Sequence, residues 1–95
     1  MAIVNLSLQI LPIVEEEKIY PFVDRVIELI EQSGVNYIVG PLETTMEGEL
    51  DTLLDIVKKA QEVCVDNGAP RVVSVIKIDY KSEGVTMDEK IYKYK

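Results

Sequence analysis

The chain has 95 residues, which is the length of one folded domain. Ten basic and seventeen acidic residues give a net charge of −7, which argues against binding a nucleic-acid backbone. No apolar run reaches the roughly 18 residues of a membrane span, and the N-terminus has no signal-peptide pattern. The absence of histidine excludes His-based catalytic triads and His-ligated metal sites. A single cysteine cannot build a disulfide framework, so we expect a reducing, cytoplasmic setting.

The first predicted element is a β-strand from Val4 to Leu11, in which apolar and polar residues alternate. Its apolar side chains point to one face, and Asn5, Ser7 and Gln9 point to the other. Pro12 ends the pattern because it lacks the backbone N–H that a central strand needs. The strand therefore predicts one sheet face for the core and one face that carries hydrogen-bonding groups.

A helix is predicted to begin between Lys18 and Tyr20 and to end at Gly34. Pro21 is tolerated only in the first turn of a helix, and glycine favours the left-handed conformation that stops one. The predicted buried face follows the i, i+3, i+4, i+7 spacing and consists of Ile19, Phe22, Val23, Val26, Ile27 and Ile30.

Two short β-rich runs, Val35 to Val39 and Leu42 to Glu47, predict a hairpin with its corner near Gly40. Gly48 is predicted to break the pattern before a second helix, which ends at Asn67 and Gly68. The apolar stripe predicted for this helix is Leu50, Leu53, Leu54, Val57, Ala60 and Cys64.

The last strong strand is predicted from Arg71 to Tyr80, and its Lys77 and Asp79 are expected to form cross-strand ion pairs. A short helical turn is predicted from Met87 to about Tyr92. It follows from the capping-box spacing of Thr86 and Glu89.

The order β-α-β-β-α-β predicts a single α+β domain over residues 1–95. Two right-handed crossovers joined by a hairpin give a ferredoxin-like sandwich, a four-stranded antiparallel sheet with both helices on one face. The other sheet face is left uncovered, so it meets either water or a second subunit. Because large apolar patches rarely stay exposed on monomers, we predict a homotetramer built as a pair of dimers.

Two groups of polar side chains are candidates for a binding site. The first group is the row of Asn5, Ser7 and Gln9, whose amides and hydroxyl could recognise a small planar heterocycle. Alternatively, this row simply faces water or a subunit interface.

The second group lies on the second hairpin strand, where alternation puts Glu43, Thr45 and Glu47 on one face and Thr44 on the other. Its acids either are solvated or cap the following helix, or they bind a cationic ligand. No nucleophile–base pair, glycine-rich phosphate loop or C-x-x-C metal motif is present. The residues therefore favour a binding or assembly protein over an enzyme.

Three segments in order along the chain carry a family resemblance: Leu6 to Pro12, Gly40 to Glu49 and Arg71 to Asp79. Together they resemble the small thiamine-binding proteins, relatives of the YkoF-like proteins that recognise thiamine through its hydroxymethylpyrimidine half. The resemblance implies a ferredoxin-like fold and non-catalytic binding of thiamine or hydroxymethylpyrimidine, without a cofactor, in thiamine storage, transport or salvage.

The resemblance also implies that Gln9 and Thr44 contact the pyrimidine, although a family member with two tandem copies of the domain has a small hydroxyl residue where this chain has Gln9. The thiazolium ring of thiamine is a cation, so Glu43 or Glu47 would help to hold it. A structural or regulatory assembly module without a ligand is the rival hypothesis. An enzyme of the acylphosphatase type would need a phosphate cradle of arginine and asparagine, which the sequence does not show.

Overall fold

The structure is a computed structural model that describes residues 2–95. Its four strands form one antiparallel sheet: β1 (Ile3–Pro12), β2 (Asn36–Val39), β3 (Thr44–Glu49) and β4 (Val72–Asp79). The spatial order is β2-β3-β1-β4, so β1 and β3 are central. The helices are α1 (Ile19–Ser33), α2 (Leu50–Asp66) and the short α3 (Met87–Ile91). The α+β, ferredoxin-like arrangement predicted from the element order is confirmed, with α1 and α2 on one sheet face.

The alternation along β1 decides which residues enter the core. Its apolar side chains lie under α1 and α2 and are buried, namely Val4, Leu6, Leu8 and Ile10. Residues directly opposite one another on antiparallel strands share a sheet face. Ser7 is opposite Thr45 on one side and Lys77 on the other, so all three belong to the open face.

The boundaries of α1 follow the sequence signals. The helix begins at Ile19, and Gly34 ends it with a φ of 82°, the left-handed conformation that glycine adopts easily. Val26 and Ile30 are its buried side chains, with Phe22 and Val23 packed against the core.

Two sequence predictions around α2 are wrong. Leu54 is 41% exposed, whereas Leu53 and Ile56 are buried. Successive residues of a helix are about 100° apart around its axis. The buried face of α2 is centred on Leu53, so Leu54 points toward solvent. Gly48 does not break β3, since it pairs with Val4 inside the strand.

The third helix changes the expected exposure of the sheet. It is capped as predicted, because the backbone N–H of Glu89 donates to the Thr86 hydroxyl at 3.2 Å. The α3 helix lies over one end of the open sheet face, where Lys90 donates to the side-chain oxygen of Asn5 at 2.8 Å. The open face is therefore only partly uncovered, and Asn5 is buried beneath the helix.

None of the helices within residues 2–95 combines the length and the apolar composition required to cross a membrane.

Candidate functional site

The candidate residues divide between two cavities, which lie on either side of the sheet. The hairpin cleft, about 150 Å³, lies where the end of β1 meets the β2–β3 turn and α1. It is lined by residues 8–11 of β1, residues 39–44 of the hairpin, and Tyr20, Val23, Val26, Ile27 and Ile30 of α1. The α3 cavity, about 430 Å³, lies on the open face and is lined by Asn5, Ser7, Ile38, Thr45, Lys77, Ile78, Asp79, Met87, Lys90 and Ile91.

The hairpin cleft exists because β1 extends beyond β3. The β1–β3 ladder ends with the pair Leu8 and Thr44, whereas β1 itself continues to Pro12. The hairpin turns sharply at this point, since the Gly40 N–H donates to the Glu43 carbonyl at 2.9 Å. A Cβ at Gly40 would lie 2.8 Å from that same carbonyl oxygen, so the turn requires glycine. The turn therefore leaves a gap beside the last residues of β1.

The backbone of β1 presents a donor and an acceptor to this gap. The Ile13 N–H donates to the Arg71 carbonyl at 2.9 Å, so the odd-numbered residues of β1 direct their N–H and C=O groups toward β4. The even-numbered residues Leu8 and Ile10 direct theirs toward β3. Because the β1–β3 ladder stops at Leu8, the N–H and C=O of Ile10 face the cleft.

Thr44 contributes a side-chain hydroxyl to the cleft. Its side chain is buried on the helix face of the sheet, opposite Leu8. Among residues 2–95 no side-chain hydrogen bond involves Thr44, and none of their fully buried side-chain polar atoms lacks a partner. Together these facts mean that the Thr44 hydroxyl is open to the cleft and not sealed in the core.

Gln9 and Glu43 also border this cleft, but their side chains do not point into it as the Thr44 side chain does. Alternation puts the Gln9 side chain on the open sheet face, opposite Val75. Glu43 carries the only carboxylate in the cleft lining, and its oxygen lies 3.0 Å from Lys77 Nζ. A third of the Glu43 side chain is exposed, so this ion pair is partly in water.

The polar side chains of the α3 cavity are bonded to one another. The hydroxyls of Ser7 and Thr45 lie 2.9 Å apart across the β1–β3 ladder. Asn5 donates to Glu47 at 3.3 Å and accepts from Lys90. Asn5, Glu47 and Lys90 form a network that joins the sheet to α3, whereas Ser7 and Thr45 bond to each other within the sheet.

Glu47 is the centre of that network. Its carboxylate accepts from the backbone N–H of Met87 at 2.6 Å, and from the side-chain amides of Asn5 and Asn36 at 3.3 Å each. Glu47 does not line the hairpin cleft. Its bond to Met87 holds α3 against β3, and its bonds to Asn5 and Asn36 reach the neighbouring strands β1 and β2.

Neither metal chemistry nor thiol chemistry has a site in the part of the chain that the structure describes. No group of three or more His, Cys, Asp or Glu side chains within residues 2–95 could hold a metal ion. Burial raises the pKa of the Cys64 thiol, which therefore stays protonated at neutral pH.

The sequence pointed to the polar side chains of β1 and β3 as candidates, but it did not indicate the roles of Ile10, Met87 and Lys90. Ile10 reads only as an apolar core residue, and its backbone becomes available because the neighbouring strand is shorter. The contacts of Met87 and Lys90 join residues 40 and 85 positions apart, and no local pattern signals them.

The chain is similar to known proteins over nearly all of its length. A family model described as thiamine-binding protein matches residues 6–95. A UPF0045 protein of Clostridium perfringens is 63% identical over 91 residues, which cover 96% of each chain.

Two solved structures resemble the fold closely. A Bacillus cereus protein described as domain of unknown function DUF77 superposes with a TM-score of 0.92 at 52% identity, covering 99% of this chain and 91% of that one. A Thermotoga maritima protein, whose name proposes a role in thiamine biosynthesis or salvage, gives a TM-score of 0.91 at 39% identity. That match covers 98% of this chain and 99% of the other.

Proposed function

The chain belongs to the thiamine-binding protein family, and we propose that it binds thiamine through the hydroxymethylpyrimidine half in the hairpin cleft. Family membership supports the ligand class. One observation supports the place: the free Thr44 hydroxyl and the unpaired N–H and C=O of Ile10 converge on a cleft with apolar walls. The proposed role is thiamine storage, transport or salvage, without catalysis.

The size of the cleft suits one aromatic ring. A cavity of about 150 Å³ with apolar walls is large enough to hold benzene, and the hairpin cleft has about this volume. The pyrimidine ring would fill it, and the thiazolium ring would remain at the mouth. Affinity would then come mainly from burying the pyrimidine against α1.

The polar groups of the cleft complement an aminopyrimidine. This ring carries an amine donor beside a ring-nitrogen acceptor. A strand residue directs its N–H and C=O to the same side, so Ile10 offers the matching acceptor and donor. The Thr44 hydroxyl can both donate and accept and could pair with another ring nitrogen, which thiamine and hydroxymethylpyrimidine share.

The charge at the mouth favours a cation. Glu43 borders the cleft, and the whole chain carries a net charge of −7. Attraction between the thiazolium and an exposed carboxylate contributes only about 0–1 kcal/mol. Glu43 also pairs with Lys77 at 3.0 Å, so it would discriminate thiamine from the neutral pyrimidine only slightly, and the ring pocket would provide most of the affinity.

The chemistry of the cleft supports binding without reaction. Thr44 is its only hydroxyl group apart from the exposed Tyr20; the lining has no histidine or lysine to act as its base, and its one carboxylate, Glu43, is bonded to Lys77 and not to Thr44. A hydroxyl needs such a base to become a nucleophile. Binding is therefore the activity we propose for this site.

We include a homotetramer, built as a pair of dimers, in the proposed function. The part of the open face that α3 leaves uncovered still exposes Leu11, Val73 and Val75. Burying such side chains between subunits would remove apolar surface from water. Light scattering that gives the mass of one chain at micromolar concentration would contradict this part of the proposal.

The experiment for the binding site compares two adjacent threonines by calorimetry with thiamine and with hydroxymethylpyrimidine. Thr44→Val removes the cleft hydroxyl, and Thr45→Val makes the same change on the opposite sheet face. Loss of one neutral hydrogen bond costs about 0.5–1.5 kcal/mol, so Thr44→Val should weaken both ligands roughly two- to thirteenfold. Thr45→Val should leave both affinities unchanged.

If Thr45→Val weakened binding and Thr44→Val did not, the ligand would bind in the α3 cavity. Wild-type protein that binds neither compound would overturn the proposed function altogether. Thermal unfolding of both variants confirms that each is folded under the conditions of the titration.

A further inference from the structure

Two large apolar side chains at the hairpin cleft are exposed to water. Tyr20 is 78% and Leu42 is 77% exposed, the two highest values among the large apolar side chains of residues 2–95. Both belong to the cleft lining, Tyr20 from α1 and Leu42 from the hairpin. Single exposed apolar residues are common on protein surfaces, so it is the shared position of these two that indicates a role.

Tyr20 continues the apolar stripe of α1 beyond the core. The members of this stripe follow one another after three, four and three positions, so they share one face of the helix; they are Tyr20, Val23, Ile27 and Ile30. Ile30 is fully buried, whereas Val23 and Ile27 are half-buried. Tyr20 lies in the first turn and is exposed. The stripe therefore leads from the core to the mouth of the cleft, where it ends in an aromatic ring.

Leu42 has a defined position on the hairpin wall of the cleft. The bond from the Gly40 N–H to the Glu43 carbonyl, at 2.9 Å, closes the turn around Pro41 and Leu42. Proline restricts the backbone of this turn, because its ring fixes φ. The turn therefore holds Leu42 at the mouth although its side chain is largely in water.

We propose that Tyr20 and Leu42 hold the thiazolium ring of thiamine between them, and that the Tyr20 ring is the partner of its positive charge. This inference rests on the proposed function, since it requires the pyrimidine inside the cleft and the thiazolium at the mouth. The bound ring covers apolar surface that is otherwise exposed on both side chains. Tyr20 therefore determines the preference for thiamine over hydroxymethylpyrimidine, whereas Thr44 and Ile10 bind the part that both compounds share.

The chemistry of the thiazolium favours an aromatic partner. Its charged nitrogen has no hydrogen and cannot donate a hydrogen bond, but a tyrosine ring has a negative face that attracts a cation within about 6 Å of the ring centre. Glu43, the only carboxylate in the lining, already pairs with Lys77. Tyr20 is the only aromatic side chain in the lining. Within residues 2–95 the one cation–π contact joins Lys93 to Tyr94, so no side-chain cation occupies the face of Tyr20.

The test is calorimetry with thiamine, hydroxymethylpyrimidine and deazathiamine, a neutral analogue in which carbon replaces the thiazolium nitrogen. High salt throughout the titrations screens the exposed carboxylate of Glu43. Tyr20→Leu keeps an apolar side chain and removes the ring, so it should weaken thiamine about two- to fivefold. Hydroxymethylpyrimidine should bind as tightly as to the wild type. The wild-type preference for thiamine over deazathiamine should largely disappear in this variant.

Three further variants separate the ring from its surroundings. Tyr20→Phe keeps the ring face and should bind all three compounds like the wild type. Leu42→Ala removes packing and no charge, so it should weaken thiamine and deazathiamine equally and leave hydroxymethylpyrimidine unchanged. Tyr94→Leu is the matched control, because Tyr94 is 76% exposed and lies outside the cleft lining. It should change none of the affinities.

The outcomes distinguish this inference from the proposed function. If Tyr20→Leu bound thiamine like the wild type, or weakened hydroxymethylpyrimidine as much as thiamine, the role of Tyr20 would be overturned while binding in the cleft would stand. Weak thiamine binding by Tyr20→Phe would likewise overturn it, because the hydroxyl and not the ring would be responsible. Wild-type protein that binds none of the three compounds would overturn the proposed function and this inference with it.

Discussion

The hairpin cleft and the α3 cavity border the same central strand, yet their polar groups are in opposite states. In the α3 cavity, Ser7 bonds to Thr45, and Asn5 bonds to both Glu47 and Lys90. In the hairpin cleft, Thr44 makes no side-chain bond within residues 2–95. The α3 cavity is the larger by volume, about 430 against 150 Å³. The smaller cavity is nevertheless the one with donors and acceptors available to a ligand.

This difference teaches that a row of polar side chains on a strand does not by itself make a binding site. A ligand must replace the hydrogen bonds that a polar group already has, so a mutually bonded network offers it little net gain. The network around Glu47 instead fixes α3 to the sheet. A free hydroxyl beside an interrupted strand ladder can bond to a ligand without giving up a partner in the protein.

The largest expected effect concerns a residue that supports both regions. Leu53 is fully buried beneath β3, the strand that carries Thr44 and Thr45. Leu53→Ala should lower the free energy of unfolding by about 2–5 kcal/mol, because a buried leucine leaves a cavity. Leu54→Ala, its exposed neighbour, should cost less than about 1 kcal/mol. Urea unfolding measures both, and equal losses would mean that the buried face of α2 is wrongly assigned.

The next prediction separates structural from ligand-binding carboxylates. Glu47→Ala removes the acceptor of three hydrogen bonds and should lower the free energy of unfolding by about 1.5–3 kcal/mol. Hydrogen exchange at the amides of α3 should become faster, whereas thiamine affinity measured by calorimetry should stay the same. Glu49→Ala is the control, since Glu49 makes no side-chain hydrogen bond in the described structure. A large loss of thiamine affinity in folded Glu47→Ala would mean that thiamine binds in the α3 cavity and not in the hairpin cleft.

The smallest expected effect concerns the mouth of the cleft. Glu43→Gln removes a charge and keeps the shape, so thiamine should bind up to about fivefold more weakly while hydroxymethylpyrimidine is unaffected. The difference between the two ligands should shrink in high salt, because exposed charges are screened. Calorimetry at two salt concentrations measures this difference. Glu49→Gln is the control, because it removes one negative charge outside the cleft lining. Equal weakening of both ligands would show that Glu43 acts on the ring pocket and not on the cation.

The sequence by itself determined the elements and their order, because these depend on local periodicity and on glycine and proline. The alternation from Val4 to Leu11 predicts both faces of β1, and Gly34 predicts the end of α1. The capping box of Thr86 predicts α3 as a helix. Alternation also predicts correctly that Thr44 and Thr45 face opposite sides of the sheet.

Only the tertiary structure decided where these elements meet. The position of α3 on the open face depends on contacts of Glu47 and Lys90 with residues far away in the sequence, which no periodicity encodes. The exposure of Leu54 depends on the rotation of α2 about its axis. The free backbone of Ile10 depends on β3 being shorter than β1 at that end. A local pattern specifies the face of a residue, whereas the partners on that face are set by the packing of distant segments.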